Sequence, residues 1–257
     1  MTRATGDFNV LKKIRGIGDL LRGKLEARFR LLTIIGRVLV PEYRFQWPFL
    51  DWFHDPEFSR FLDRFGVSHD CNDGRRWMLG QLLRLTAAVP GDTAECGVYR
   101  GADSYRICLF NASLRGAPRT HFMFDSFEGL SAPTAADGTF WKQGDLASPL
   151  KVAERALAKF PNTAFLPGWI PDRFAEVEDR SFSFVQADVD LYEPTRDSIA
   201  FFYPRLNPGG IFLCDDYGFD MCPGATRAVD EFLRDKPEKA ISLSDGGGFF
   251  IKGCATR

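Results

Sequence analysis

The chain has 257 residues, of which 45% are hydrophobic and 26% are charged, an ordinary composition for one large α/β domain or two small ones. Its formal net charge of −1 gives no electrostatic reason to expect nucleic acid or another polyanion as a partner of the whole molecule. An apolar stretch near the N-terminus, Leu31–Val40, is interrupted by Gly36 and Arg37, so we expect neither a signal peptide nor a membrane-spanning helix. Six cysteines without a C-x-x-C pair indicate free thiols in a reducing compartment. A cytoplasmic protein is therefore expected.

The first 45 residues are basic and contain a predicted amphipathic helix. They hold ten Lys and Arg against four Asp and Glu, a net charge of +6, which leaves −7 for the remainder. Apolar residues recur there at helical spacing, with charges between them, at Ile14, Ile17, Leu20, Leu21, Leu25, Phe29 and Leu32. We expect this helix to pack on its own domain or on a second copy in a homo-oligomer. Docking of the basic segment to a membrane surface or to a glycosyltransferase is the alternative.

The sequence changes character near residue 90, which predicts two regions. Residues 1–90 form a predicted helical extension rich in aromatic side chains, and residues 91–257 alternate between strands and helices. The predicted strands are Thr93–Val98, His121–Phe124, Ala164–Leu166, Phe182–Ala187, Gly210–Cys214, Ile241–Leu243 and Gly248–Lys252. The predicted helices run from Gly101 to about Arg115, from a cap at Ser148 to Lys159, from Pro194 to Tyr203 and from Gly224 to Asp235. This order predicts an α/β fold, a doubly wound and mostly parallel seven-stranded sheet that ends in an antiparallel edge strand.

Three aspartates follow buried strands and predict a metal site. Asp188 follows Phe182–Ala187, and the pair Asp215 and Asp216 follows Gly210–Cys214. One crossover helix separates the two strands, which can therefore be neighbours about 4.8 Å apart, with their carboxylates within reach of one cation. A cluster of carboxylates without a nearby His suits a hard ion such as Mg²⁺ rather than zinc.

The first two strands of the predicted sheet end in residues that suit a nucleoside ligand. Glu95 and Gly97 lie at the first strand turn, and Asp125 ends the second strand, where an acid can accept both hydroxyls of a ribose. Because the chain has neither a phosphate-binding glycine loop nor a G-x-S-x-G nucleophile elbow, a nucleoside without phosphates fits better than NAD. S-adenosylmethionine is such a ligand, with Glu95 at its amino-acid end, Asp125 at its ribose and Phe127 or Trp169 at its adenine.

Five stretches, in this combination and order, resemble a known family. They are Glu95–Ser104, Phe124–Leu130, Phe165–Trp169, Ala187–Tyr192 and Tyr203–Tyr217, within residues 92–252. The chain resembles the macrocin O-methyltransferases of macrolide and aminocoumarin biosynthesis and their relatives in bacterial glycan clusters. The resemblance implies a class I, Rossmann-like methyltransferase that uses S-adenosylmethionine and Mg²⁺ to methylate a sugar hydroxyl. It also implies that residues 1–90 contribute to the acceptor pocket and to oligomer contacts.

The resemblance assigns roles to individual residues. It implies that Asp188 is both a metal ligand and the general base, and that Asp215 and Asp216 complete the protein ligands. The expected cofactor-binding residues are Glu95, Gly97, Tyr99, Ser104, Asp125, Ser126, Phe127, Gly168 and Trp169. Asp190 is expected to support the site or to contact the substrate.

Two other functions are compatible with the same fold. One is a nicotinamide-dependent oxidoreductase, which the missing pyrophosphate glycines disfavour, and the other is a non-catalytic cofactor-binding or assembly module. The loop Ser131–Gly144 is a candidate lid. Arg75 and Arg76 are expected to be solvated helix charges, with contact to an anionic acceptor as the alternative. A macrolide-linked deoxysugar, an aminocoumarin sugar and a capsular or lipopolysaccharide sugar all remain open as acceptors.

Overall fold

The computed structural model describes residues 19–39, 51–66 and 72–256, and the chain divides into two compact units, residues 1–55 and 56–257. In the first unit, α1 (Leu25–Leu39) is preceded by a separate helical turn at residues 19–21. The helix predicted from Ile14 onward is therefore interrupted, and Gly23 at the break has a φ of +72°. Ile14 and Ile17 lie outside the described residues. Within the described ranges, no helix is both long and apolar enough to cross a membrane.

The second unit begins with two helices that pack on the sheet domain. They are α2 (Pro56–Phe65) and α3 (Asp73–Leu85). Leu79, Leu82 and Leu83 of α3 are buried against the sheet, in one cluster with Phe184, Ile211 and Leu213. Both helices, which the sequence assigned to the N-terminal extension, therefore belong to the same compact unit as the strands.

A seven-stranded sheet with helices between its strands forms the rest of this unit. The strands are β1 (Asp92–Cys96), β2 (His121–Asp125), β3 (Thr163–Pro167), β4 (Phe182–Ala187), β5 (Leu206–Cys214), β6 (Ile241–Ser242) and β7 (Gly248–Ile251). The connecting helices are α4 (Ala102–Ser113), α5 (Leu150–Leu157), α6 (Tyr192–Phe202) and α7 (Pro223–Leu233). The strand order is β3-β2-β1-β4-β5-β7-β6, with the first five strands parallel. The predicted doubly wound α/β fold is confirmed, and β4 and β5 are neighbours as the spacing of the aspartates required.

The sheet ends in an antiparallel edge strand as predicted, because β6 pairs with β7 and β7 pairs with β5, both in antiparallel orientation. Two local predictions were wrong. Helix α5 begins after Pro149 and makes no side-chain cap, so Ser148, which is buried, does not cap it. Helix α6 begins at Tyr192, two residues before the predicted start, and Pro194 lies in its first turn as expected.

The ends of β1, β4 and β5 are held together by backbone contacts that continue beyond the strands. The N–H of Asp188 donates to the carbonyl of Cys96 over 2.8 Å, and the N–H of Asp215 donates to the carbonyl of Ala187 over 2.8 Å. Gly97 has a φ of +86°, and a Cβ placed on it would lie 1.7 Å from the carbonyl oxygen of Asp188. Glycine is therefore required at this position by the close approach of two chain segments.

We predict that Gly97→Ala strongly destabilises the second unit, because the new methyl group would overlap the Asp188 backbone. Gly116→Ala is a matched control, since Gly116 also has a positive φ, of +139°, but no described atom lies within 4 Å of the added carbon. The control should lower the free energy of unfolding by about 1–3 kcal/mol through backbone strain, and Gly97→Ala should lower it by more. Equal decreases in this free energy, measured by unfolding in urea, would show that the close approach of Gly97 to Asp188 adds nothing to the cost of the substitution.

Candidate active site

A cleft of about 560 Å³ opens at the carboxyl ends of β1, β2 and β4. Its position is the one at which open α/β sheets bind ligands. It contains most of the residues predicted to bind a cofactor or metal: Glu95, Gly97, Tyr99, Asp125, Ser126, Gly168, Trp169, Asp188 and Asp216. Three predicted residues, Ser104, Phe127 and Asp215, are not among the described residues that line the cleft.

Asp125 ties together the two turns that form one wall of the cleft. One carboxylate oxygen accepts the N–H groups of Val98 and Tyr99 over 2.7 and 2.8 Å, and the other accepts the N–H of Phe127 over 2.6 Å. Tyr99 and Phe127 have φ values of +49° and +56°, a conformation that costs energy for residues other than glycine. Asp125 offsets this strain, and Oδ1, which accepts only the N–H of Phe127, has a second lone pair for a ligand hydroxyl.

Glu95 lies at the floor of the cleft in a buried polar network. Its carboxylate accepts a hydrogen bond from the Ser104 hydroxyl and lies 3.3 Å from Nε2 of His121. Burial, followed by the charge of Asp103, raises the pKa of Glu95 well above its usual range, and burial lowers the pKa of His121 to about 3. Ser104 thus supports Glu95 from below the cleft. Sequence reasoning missed His121, since a lone histidine at the start of a strand carries no pattern that marks it.

Gly168 and Trp169 lie on the side of the cleft formed by the end of β3. The N–H of Gly168 donates to the backbone carbonyl of Asp125 over 2.9 Å, and Trp169 lines the cleft beside it. Ser126 donates its hydroxyl to the carbonyl of Gly129 over 2.9 Å, which shapes the turn rather than leaving the hydroxyl for a ligand. Phe127 does not line the cleft, and its backbone N–H donates to the carboxylate of Asp125.

The three predicted metal ligands have different surroundings. Asp188 and Asp216 line the cleft, and one oxygen of Asp216 accepts the N–H groups of Val189 and Asp190 over 3.1 and 2.8 Å. The carboxylate of Asp215 instead forms an ion pair with Arg75, with 2.6 Å between Nη1 and Oδ2. The structure therefore brings two of the three carboxylates to the cleft surface and pairs the third with Arg75.

The tightest group of metal-type ligand atoms in the described residues differs from the predicted one. It consists of Asp190, Asp216 and Cys222, whose ligand atoms lie within 4.8 Å of one another. The Cys222 thiol also donates to Asp190 over 3.5 Å. The sequence indicated Asp190 only as a supporting residue and gave no reason to select Cys222, which follows no strand and has no partner cysteine nearby in the chain.

The carboxylates at this edge of the sheet repel one another. Burial and then the charges of Asp215, Asp216 and Asp190 raise the pKa of Asp188 well above its usual range. Burial raises the pKa of Asp215 and that of Asp216 to about 7, and the pKa of Asp190 to about 6. Such excess negative charge among oxygen donors favours binding of a cation. The donor set fits Mg²⁺, which prefers carboxylates and keeps open positions for water or substrate oxygens.

The candidate lid, residues 131–144, is anchored on both sides of the cleft. At its base, Leu130 donates to the carbonyl of Asp145 and Gly144 donates to the carbonyl of Leu130, over 2.8 and 2.9 Å. Asp137 accepts the N–H of Tyr192 at the start of α6 over 2.6 Å. The indole N–H of Trp141 donates to the sulfur of Cys222 over 3.3 Å, and Trp141 lines the cleft. The loop forms a wall of the site, and its closure over a ligand stays a prediction.

Residues 82–246 match the sequence model of a family described as Macrocin-O-methyltransferase (TylF). Two curated relatives are each 32% identical to the chain. The 8-demethyl-8-(2,3-dimethoxy-alpha-L-rhamnosyl)-tetracenomycin-C 4'-O-methyltransferase of Streptomyces olivaceus aligns over 182 residues, which cover 66% of this chain and 69% of that protein. The demethyldecarbamoylnovobiocin O-methyltransferase of Streptomyces niveus aligns over 184 residues, which cover 63% of this chain and 66% of that protein. The chain thus spans about two thirds of the length of these relatives.

Solved structures of methyltransferases have the same fold. The O-methyltransferase NovP is 27% identical, with a TM-score of 0.56 over 69% of this chain and 79% of that one. The calicheamicin methyltransferase CalS11 has a TM-score of 0.64 over 79% of this chain and 89% of that one. Because CalS11 is only 21% identical, its likeness supports the class I methyltransferase fold alone.

Proposed function

The chain belongs to the macrocin-O-methyltransferase family and is an O-methyltransferase, and we propose that it transfers the methyl group of S-adenosylmethionine to a sugar hydroxyl with the aid of Mg²⁺. The acceptor is proposed to be a sugar of a natural product or a bacterial glycan, since one relative is named for a rhamnosyl tetracenomycin. The observation that carries the proposal is one cleft that joins a carboxylate cluster, Asp188, Asp190 and Asp216, to the wall formed by Asp125 and Trp169.

The cofactor is proposed to lie along the ends of β1, β2 and β3. Asp125 would accept a ribose hydroxyl through the remaining lone pair of Oδ1, and Trp169 would stack on the adenine. Glu95 and the backbone at Gly97 and Tyr99 would meet the amino-acid end. The negative charge of the aspartate cluster complements the positive sulfonium group, which favours this cofactor over an anionic one.

The metal is proposed to be held by Asp188 and Asp216 at the cleft surface together with Asp215. Mg²⁺ bound there would lower the pKa of a hydroxyl that approaches it. Asp188 then takes the hydroxyl proton at a carboxylate oxygen. As the new O–CH₃ bond forms, the S–CH₃ bond breaks, and S-adenosylhomocysteine leaves with the electron pair on sulfur. Positioning of the two reactants in the cleft contributes much of the rate.

Membership in a methyltransferase family argues against the two other functions considered for this fold. A nicotinamide-dependent oxidoreductase would not need the carboxylate cluster at the ends of β4 and β5. A non-catalytic module would have no reason to keep Asp188 and Asp216 at a cleft surface, where their mutual repulsion destabilises the fold.

We also propose that α1 contacts an anionic membrane surface. Its apolar residues are exposed, among them Leu32, Ile34 and Val38 at 54, 62 and 76%, and the exposed side chains of Arg28 and Arg30 accompany them. An exposed apolar face combined with basic residues is typical of helices that lie in a membrane interface. The glycosyltransferase contact, the homo-oligomer and the cytoplasmic location expected from the sequence remain proposals.

We predict that Asp188→Asn abolishes methyl transfer but retains binding of S-adenosylmethionine, because the amide cannot take the hydroxyl proton while the cofactor wall is unchanged. Turnover should fall by about 100-fold or more, a typical effect of losing a general base. Calorimetric titration with the cofactor and mass spectrometry of an offered sugar acceptor measure the two properties separately. Full methyl transfer by the variant would remove Asp188 from the mechanism.

We predict that Mg²⁺ raises the midpoint of thermal unfolding of the cofactor-free protein, because the cation binds the native carboxylates and relieves their repulsion. Asp216→Asn should lose most of this increase, and Asp235→Asn, which removes an exposed charge elsewhere, should keep it. Protein in EDTA sets the baseline. An identical midpoint for the wild type with and without Mg²⁺ would contradict a metal site.

We predict that the protein sediments with vesicles that contain an anionic phospholipid and much less with neutral vesicles. Ile34→Glu should abolish most of this binding because it places a charge on the apolar face of α1. Thr33→Glu is the matched control, since it adds the same charge next to the exposed face. Sedimentation velocity tests the alternative, in which α1 mediates self-association. If the wild type forms an oligomer that Ile34→Glu dissociates, and does not bind vesicles, the exposed face is an oligomer contact instead.

A further inference from the structure

Arg75 lies on α3, outside the strand ends that supply the rest of the site. The sequence indicated a solvated helix charge at this position, yet the side chain is only 13% exposed and lines the cleft. It projects toward the ends of β4 and β5, where the aspartates lie. Its burial requires a specific partner, because a charged side chain rarely leaves water without one.

The guanidinium group of Arg75 holds both the side chain and the main chain of Asp215. Nη1 lies 2.6 Å from Oδ2 of Asp215 and donates to the backbone carbonyl of the same residue over 2.7 Å. Nη2 donates to the side-chain oxygen of Asn72 over 2.5 Å. The guanidinium carbon lies 4.6 Å from the centre of the Phe219 ring, within the range of a cation–π contact. Arg75 is therefore fixed from three sides.

This clamp leaves the other carboxylate oxygen of Asp215 outside the ion pair. The backbone of Asp215 is already fixed on the opposite side, where its N–H donates to Ala187. Asp215 is thus held by Arg75 through its carboxylate and carbonyl groups, and by Ala187 through its N–H.

We infer that Arg75 is a positioning residue for the metal site, which holds Asp215 in the orientation from which it would bind a divalent cation together with Asp188 and Asp216. The inference rests on the proposed Mg²⁺ dependence. Partners that orient metal ligands matter nearly as much as the ligands themselves, and their loss commonly lowers metal affinity by about 10- to 100-fold. Helix α3 is thereby part of the active site, although it contributes no metal ligand.

The opposite role, competition between Arg75 and the metal for Asp215, makes the opposite prediction. If the guanidinium occupied the place of the cation, its removal would strengthen metal binding, because the carboxylate of Asp215 would lose its ion-pair partner and become available to the metal. The two roles are therefore separated by the sign of the change in metal affinity.

The test is a calorimetric titration of the full-length protein with MgCl₂. We expect Arg75→Gln to bind Mg²⁺ about 10- to 100-fold more weakly than the wild type. Arg75→Lys should fall between the two, because an ammonium group can reach the carboxylate but cannot hold side chain and carbonyl together. Arg84→Gln, which removes an exposed charge from the same helix, should bind as the wild type does. Binding of S-adenosylmethionine without metal should be unchanged in all three variants, which shows that the cleft is folded.

A double-mutant cycle tests whether Arg75 acts through Asp215. In an Asp215→Asn background, Arg75→Gln should have little further effect on Mg²⁺ affinity, because the residue that it positions has already lost its charge. Additive losses would overturn the inference, as would Mg²⁺ binding by Arg75→Gln that equals or exceeds that of the wild type. If Arg75→Gln does not fold, Arg75→Lys decides by the same criterion. Absence of Mg²⁺ binding in the wild type would overturn the proposed metal dependence and this inference together.

Discussion

The parallel pairing of β4 with both β1 and β5 is the constraint on which the site depends. It places three strand ends side by side, so the residues that follow them share one cleft. Gly97 lies so close to the carbonyl of Asp188 that no residue with a Cβ atom fits at this position. The cofactor wall and the carboxylate cluster are thus joined by backbone contacts, which are less adaptable than contacts between side chains. A small displacement of these backbone segments would therefore move both the cofactor wall and the carboxylate cluster.

The carboxylate cluster destabilises the folded state. Four aspartates lie close together, three of them buried and Asp188 half-buried, and burial together with mutual repulsion disfavours their ionised forms. Arg75 offsets part of this charge through its ion pair with Asp215. A protein that only had to fold would replace such a group with apolar residues of similar size. The cluster is therefore best explained by a ligand that carries positive charge.

Several acids of the site serve the backbone as well as the proposed ligands. Asp125 accepts three backbone N–H groups, Asp216 accepts two, and Asp137 accepts the first N–H of α6. These bonds fix turns in which Tyr99, Phe127 and Asp190 have positive φ values. The local conformation of the cleft is therefore set by the same carboxylates that give it its charge, which links the stability of the turns to the electrostatics of the site.

Much of this architecture followed from patterns that are local in the chain. Alternating apolar runs and helices predicted the parallel sheet, and acids directly after strands predicted the edge at which Asp125, Asp188 and Asp216 meet, because strand polarity alone decides which end a residue occupies. The order of β7 and β6 was not predictable, since two short strands satisfy either arrangement by pattern. Nor did the sequence reveal His121 beneath Glu95, Cys222 beside Asp190, or Arg75 on Asp215. Those contacts join residues 26 to 140 positions apart, and only the packing of helices on the sheet determines which of them meet.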